Sequence, residues 1–282
     1  MNVRIDATAS DPSSVPIRPA ATVMLVRDAH DGAPGVEVFM LRRTLRASFA
    51  GGAYVFPGGR VDLADGADAM EGVCDGLTDA RASELLQIES GGLAFWVAAI
   101  RECFEEAGVL LARSTADGRI VRFDDPSVAA RFESARPAIH DSSLGLVELC
   151  AREGLRLTTD QMFYTAHWIT PLGEVRRFDT RFFVARAPVA QVPLHDDGET
   201  IASLWVRPAD ALARERAGEL MMLPPTIACL QFLELHASAD DALTAAAAVV
   251  APPRMLPKIV SSSADGRSTM LFLGDPGYDD LP

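Results

Sequence analysis

No apolar run in this 282-residue sequence approaches the roughly 20 residues that cross a bilayer, so a helical membrane span is not expected. The opening "MNVRIDATASDPSSVPIRP" lacks the hydrophobic centre of a secretory leader. The expectation is therefore a soluble, cytoplasmic protein with no membrane partner. Cysteine is scarce as well: Cys74, Cys103, Cys150 and Cys229 lie far apart with no C-x-x-C pair. That pattern fits reduced thiols used for packing better than a disulfide frame or a zinc site. Positive charge is sparse and scattered, 26 Lys and Arg against 39 Asp and Glu for a net charge of -13. A protein that grips a nucleic-acid backbone by counterion release needs the opposite balance, so no nucleic-acid partner is expected. An anionic ligand would need local help from a metal or a few arginines. No internal repeat is present.

What the chain does have is core-forming material, 49% hydrophobic with 23% charged residues. Two short apolar runs, "ATVMLVRD" (21–28) and "VEVFMLRR" (36–43), flank "AHDGAPG" and read as strands joined by a turn. "GGAYVFPGGRVD" (51–62) reads as a glycine-rich loop around a short strand. Residues 64–92 are polar and turn-rich with one helical piece near "LTDARASELLQI". "LAFWVAAIRECFEEAG" is a helix that Gly108 stops.

A helical stretch over 126–154 precedes three strands, "MFYTAHWIT", "RFFVARAP" and "IASLWV". Two helices, an alanine-rich segment and a hairpin around Asp265-Gly266 complete the chain. The intermixed elements give an α/β or α+β class. The expected division is a disordered tail over 1–18, one domain over 19–238 with an insert at about 66–92, and a C-terminal extension over 239–282 that is a helix or linker plus a hairpin.

Within the helix, "RECFEEAG" sets Glu102, Glu105 and Glu106 within five residues. On a wheel of about 100° per residue the three carboxylates share one face and Trp96, Val97, Ile100, Cys103, Phe104 and Ala107 share the other. Acids spaced i, i+3 and i+4 with no lysine between them repel each other by a few tenths of a kcal/mol per pair. A solvated helix face would accept that cost. Convergence on a hard divalent cation, Mg²⁺ or Mn²⁺, would instead reverse it. Arg101 stands where it can pair with Glu105 at i+4 or brace the acids.

"RECFEEAGV" resembles the second half of the Nudix box, G-x5-E-x7-R-E-U-x-E-E-x-G-U with U apolar. "FPGGRVDLAD" resembles the first half, with Gly59 at the motif glycine and Asp65 where the family has glutamate. Arg101 follows Gly59 by 42 positions where the pattern has 14, so the box carries a 28-residue insertion. A long insert at this place is typical of the branch of peroxisomal coenzyme A diphosphatases. "RRFDTRFF", "HDDGETIASLWV" and "LPPT" are also similar to that branch.

The resemblance implies an α/β/α sandwich with a mixed sheet, and a metal-dependent diphosphatase that cleaves coenzyme A or acyl-CoA to 3',5'-ADP and a 4'-phosphopantetheine. ADP-ribose or NADH would be the alternative substrates, and a non-catalytic nucleotide-binding module the alternative of another class. By the same resemblance Glu102, Glu105, Glu106 and the Gly59 carbonyl would hold Mg²⁺ or Mn²⁺, and Arg101 would orient the glutamates. The catalytic group would comprise Glu102, Arg101 and a downstream candidate base, Glu199.

An upstream arginine motif of coenzyme A diphosphatases aligns Arg43 and Gly52, with Ser48 at the second arginine and Arg46 nearby. Arg43, Arg46 and Gly58 are the expected substrate contacts. Phe49, Tyr54 and Trp168 are available to stack on an adenine but are expected in the core, as is His167. The small-molecule reading leaves room for a homodimer.

Overall fold

The computed structural model describes residues 15–45, 50–196, 198–260 and 269–281. In chain order its strands are β1 (Ile17–Asp28), β2 (Val36–Arg43), β3 (Tyr54–Val55), β4 (Gly58–Arg60), β5 (Ala112–Ser114), β6 (Leu155–Leu157), β7 (Met162–Ile169), β8 (Arg177–Arg186), β9 (Thr200–Val206), β10 (Arg254–Met255), β11 (Lys258–Val260) and β12 (Thr269–Leu271). The helices are α1 (Asp79–Leu86), α2 (Leu93–Ala107), α3 (Pro126–His140), α4 (Leu146–Glu153), α5 (Pro208–Arg216), α6 (Pro224–Leu233) and α7 (Ala239–Ala247).

β1 organises the sheet. It pairs parallel with β8 and antiparallel with β2 and β4, while β7 adds to β8, β10 to β7, and β9 and β3 to β2. The result is an eight-stranded mixed sheet. β1 is apolar on both sides because both sides are covered: Ala21, Val23 and Leu25 belong to the core under α2, and Met24 and Val26 to the core under α5, α6 and α7. This is the expected α/β/α sandwich.

The observed boundaries differ from the expected ones in two places. β1 begins at Ile17, two residues before the expected domain start. Position 238 does not separate packing units, since Ala239, Ala242 and Ala246 of α7 are buried in the second core and β10 extends the sheet at β7. Ser238 caps α7 by accepting from the Asp241 N–H, which explains why the alanine run is a helix rather than a linker. β11 and β12 pair antiparallel, while the predicted turn at Asp265-Gly266 lies outside the described residues.

The insert is folded. It contains α1, and Arg156 of β6 holds it through the Asp75 carboxylate and the carbonyls of Gly72, at 2.7 Å, and Cys74. The four cysteines are buried and free, as expected of packing residues.

Candidate active site

α2 is long enough to carry an apolar face into the core and an acidic end towards β4. Gly108 terminates it in the left-handed region at φ 67°, where glycine has no Cβ to clash. The acidic end is covered rather than solvated: Glu105 and Glu106 are 8% and 4% exposed. β4 lies over one side, and the Gly58 N–H donates to Glu106 Oε2 at 2.9 Å. α3 lies over the other, with Arg136 Nε donating to the Glu105 carbonyl at 2.7 Å and His140 Nδ1 at 3.2 Å from Glu105 Oε2.

The two glycines of β4 do different things. A Cβ on Gly58 would strike the backbone of Ala21 and Thr22, so this position is fixed by close strand packing. A Cβ on Gly59 would strike the Glu102 carboxylate, so this glycine opens the space that Glu102 occupies.

Arg101 is the hub of the cluster. Its Nε and Nη2 bond Asp65 Oδ1 and Oδ2 at 2.9 and 3.0 Å, Nη1 bonds Glu102 Oε1 and Glu105 Oε1 at 3.0 and 2.9 Å, and Nη2 also bonds the Arg60 carbonyl at 2.8 Å. One guanidinium thus links Asp65 to Glu102 and Glu105. Asp65 is buried against it, which joins the first half of the box to the second across the insert.

One guanidinium does not neutralise this many acids. Burial, with the Glu105 charge adding to it, pushes the Glu102 carboxyl up to about 7 despite Arg101. Burial and the Glu102 charge hold Glu106 well above the usual carboxylate range, against the Gly58 N–H and Arg43. Burial also raises Asp65. Such a set fits a divalent cation, which would supply the missing positive charge. Among the described residues no three His, Cys, Asp or Glu side chains stand in a ligating arrangement. Glu105 is turned to Arg101 and His140, and Glu106 to the Gly58 N–H. Metal capture thus requires these carboxylates to exchange partners.

The remaining expected residues fall as follows. Glu199 precedes β9 and lines the same cavity as Glu102 and Glu105, its carbonyl accepting from the Thr44 N–H at 2.9 Å. Asp196 fixes that corner by accepting from the N–H groups of Glu199 and Thr200, at 3.1 and 2.9 Å. Arg43 also lines the cavity, and its Nε is buried without a hydrogen-bond partner among the described residues, as is that of Arg42. Arg46, Ser48 and Phe49 lie outside the described residues.

Tyr54 sits under Arg42, 5.9 Å from ring centroid to guanidinium, and is not part of the cavity wall. Trp168 is both buried and part of that wall. "RRFDTRFF" splits by strand alternation: Phe178, Thr180 and Phe182 face the cavity, and Asp179 and Arg181 pair with His167 towards the other side. His167 is held by Asp179 and Arg181 and does not line the cavity. The cavity is about 1130 Å³. His140 and Arg136 were not legible in the sequence, since α3 reaches α2 only by tertiary packing.

The chain is similar to known proteins in sequence and in fold. A family model described as the NUDT19 Nudix domain matches residues 78–235. An acyl-coenzyme A diphosphatase NUDT19 of Gallus gallus is 30% identical over 261 residues, covering 77% of this chain and 67% of that protein. The Homo sapiens protein of the same description is 29% identical over 244 residues, covering 74% of this chain and 63% of that protein. The chain therefore spans about two thirds of the length of these relatives. A crystal structure of a Nudix hydrolase from Alicyclobacillus acidocaldarius superposes with a TM-score of 0.64 at 27% identity, covering 85% of this chain and 100% of that one.

Proposed function

This chain belongs to the Nudix hydrolases, in the group described by the NUDT19 Nudix domain, and from that premise we propose that it cleaves the diphosphate of coenzyme A or an acyl-CoA. The products would be 3',5'-ADP and a 4'-phosphopantetheine, acylated or free. One observation carries the reading. A single cavity of about 1130 Å³ joins the carboxylate cluster, Arg43 and a largely apolar wall. That is the combination a polyanionic head on a long, partly apolar arm requires.

Nudix hydrolases use divalent metal ions, and here Glu102, Glu105 and Glu106, with the Gly59 carbonyl, would hold Mg²⁺ or Mn²⁺. The bound ion would neutralise charge on the diphosphate and lower the pKa of a bound water. The chain's own residues do the rest. Arg101, anchored on Asp65 and the Arg60 carbonyl, would hold the base of the cluster and release Glu105 as the carboxylates turn to the metal. Arg43, which lines the same cavity, would bring its guanidinium to a phosphate oxygen. Water attacks one phosphorus, the bridging oxygen leaves with the other phosphoryl group, and Glu199 takes the proton that the water loses.

Among the described residues no helix is long and apolar enough to cross a membrane. The four free cysteines support a reducing setting such as the cytoplasm.

The test is incubation of the full chain with coenzyme A, acyl-CoA, ADP-ribose and NADH, each with Mg²⁺ or Mn²⁺, and identification of products by mass. Turnover of the CoA compounds above the others is the expected result. Preference for ADP-ribose or NADH would reject the substrate reading, and binding without turnover would leave only a binding module.

A further inference from the structure

The strand order β4, β1, β8, β7, β10 sets Gly59, beside Glu102, and Trp168, beside Met255, on opposite sides of the cavity. Its lining also includes Phe178 and Phe182 of β8, Leu223 ahead of α6, and Pro257 and Met270 from the C-terminal segment, with Arg18, Glu174 and Arg176 as charged members. Pro257 and Met270 come from the segment after α7 and are not part of the region matched by the family model, which stops at 235.

That wall is anchored at several points. β10 pairs parallel with β7, setting Met255 opposite Trp168. Phe272 meets Trp168 edge-on at 6.2 Å between centroids. Lys258 Nζ donates to the carbonyls of Tyr278 and Leu281 at 3.0 and 2.6 Å, and the Tyr278 hydroxyl donates to the Leu256 carbonyl at 2.7 Å. A terminal segment with these ties is a fixed part of the cavity rather than a loose tail.

We infer that the Trp168 side of the cavity is a compartment for the aliphatic chain of an acyl thioester, and that the C-terminal segment, through Pro257 and Met270, sets the chain length it accepts. The inference rests on the proposed coenzyme A reading, because it takes the diphosphate to lie at the carboxylates in the same cavity. Its warrant is the surface. An aliphatic chain offers no hydrogen bonds and takes its affinity from contact with side chains such as Met270, Leu223, Phe178 and Phe182. Each buried methylene would raise affinity by up to about fourfold. This gain is made equally in the ground and transition states, so it falls in KM and leaves kcat in place.

The experiment measures kcat and KM of the full chain on unacylated coenzyme A and on straight-chain acyl-CoAs of increasing length, for the wild type, Met270→Trp and Phe178→Ala. The wild-type KM is expected to fall with chain length until the compartment is full. Met270→Trp, which narrows it, should lower the long-chain to unacylated ratio of kcat/KM by at least about tenfold, and Phe178→Ala should move the best length upward. A wild-type KM independent of chain length overturns the inference and leaves the coenzyme A reading standing. So does a Met270→Trp loss that is equal at every length. Absence of hydrolysis of any CoA compound by the wild type overturns both. Circular dichroism of each variant checks the fold, and if Met270→Trp does not fold, an unchanged length preference in Phe178→Ala overturns the inference alone.

Discussion

Arg101 and Asp65 form a two-point ion pair, Nε to Oδ1 and Nη2 to Oδ2 at 2.9 and 3.0 Å, that closes the two halves of the catalytic motif across the folded insert. Asp65 is buried and Arg101 nearly so, hence the pair is worth far more broken than its Coulomb energy indicates. Asp65→Ala is expected to destabilise the fold by about 3 kcal/mol, the low end for a broken buried pair, because Glu102 and Glu105 still hold Nη1. Urea unfolding with an unchanged m-value measures it, and a loss below about 1 kcal/mol would show that the pair is dispensable. Arg101→Lys should cost activity as well, since one ammonium cannot span these acceptors.

Gly58 and Gly59 are adjacent but should fail differently. At Gly58 an added methyl meets backbone that cannot move, so Gly58→Ala is expected to lower the melting temperature. At Gly59 it meets the far end of the Glu102 side chain, which can swing away, so Gly59→Ala should keep its melting temperature and lose about 100-fold or more in kcat/KM. Thermal unfolding and steady-state kinetics on both variants separate the two roles. Equal behaviour of the pair would sink the distinction.

The pH dependence of the metal-free protein follows from the buried acids. Glu102 rises from 4.5 to about 7 on folding, and Asp65 and Glu106 move the same way. A carboxyl whose pKa is raised in the fold binds its proton more tightly there, so stability is greatest below the unfolded value and declines as pH climbs from about 4.5 towards 7. Protein treated with a chelator should therefore melt higher at pH 5.5 than at pH 7.5, by roughly 2–4 °C for each kcal/mol involved. Divalent metal should shrink that difference by favouring the ionised carboxylates, and Glu102→Gln should shrink it without metal. A melting temperature that rises over this range in the metal-free protein would contradict the assignment.

The helix that carries this chemistry was legible because its signals are local. An apolar stripe of period 3.6, three acids on the opposite face and Gly108 at its end all lie within one segment. The sequence did not reveal that the acidic face is covered, because β4 and α3 reach it from far along the chain. Asp65 stands in the sequence before the insertion, 36 residues from Arg101, and only the fold brings the two together. β4, β5, β6 and β10 have three residues or fewer and are too short to show a period. Trp168 had to be assigned to core or ligand on composition, whereas a residue at the edge of a cavity is both.

The identity of the base is decided by which carboxylate can change protonation without losing its place. Glu102 is bonded to Arg101 and lies over Gly59, so removing its charge disturbs the proposed metal site first. Glu199 stands on a separate corner whose backbone is fixed by Asp196 and Thr44, and it is exposed where it lines the cavity. Glu199→Gln should therefore leave Mn²⁺ binding and KM near the wild-type values and lower kcat by about 10²–10⁴. Glu102→Gln should instead weaken Mn²⁺ binding together with the rate. Titration calorimetry with Mn²⁺ and kcat on the two variants give the answer: if Glu199→Gln turns over at the wild-type rate, the proton goes to a glutamate of α2.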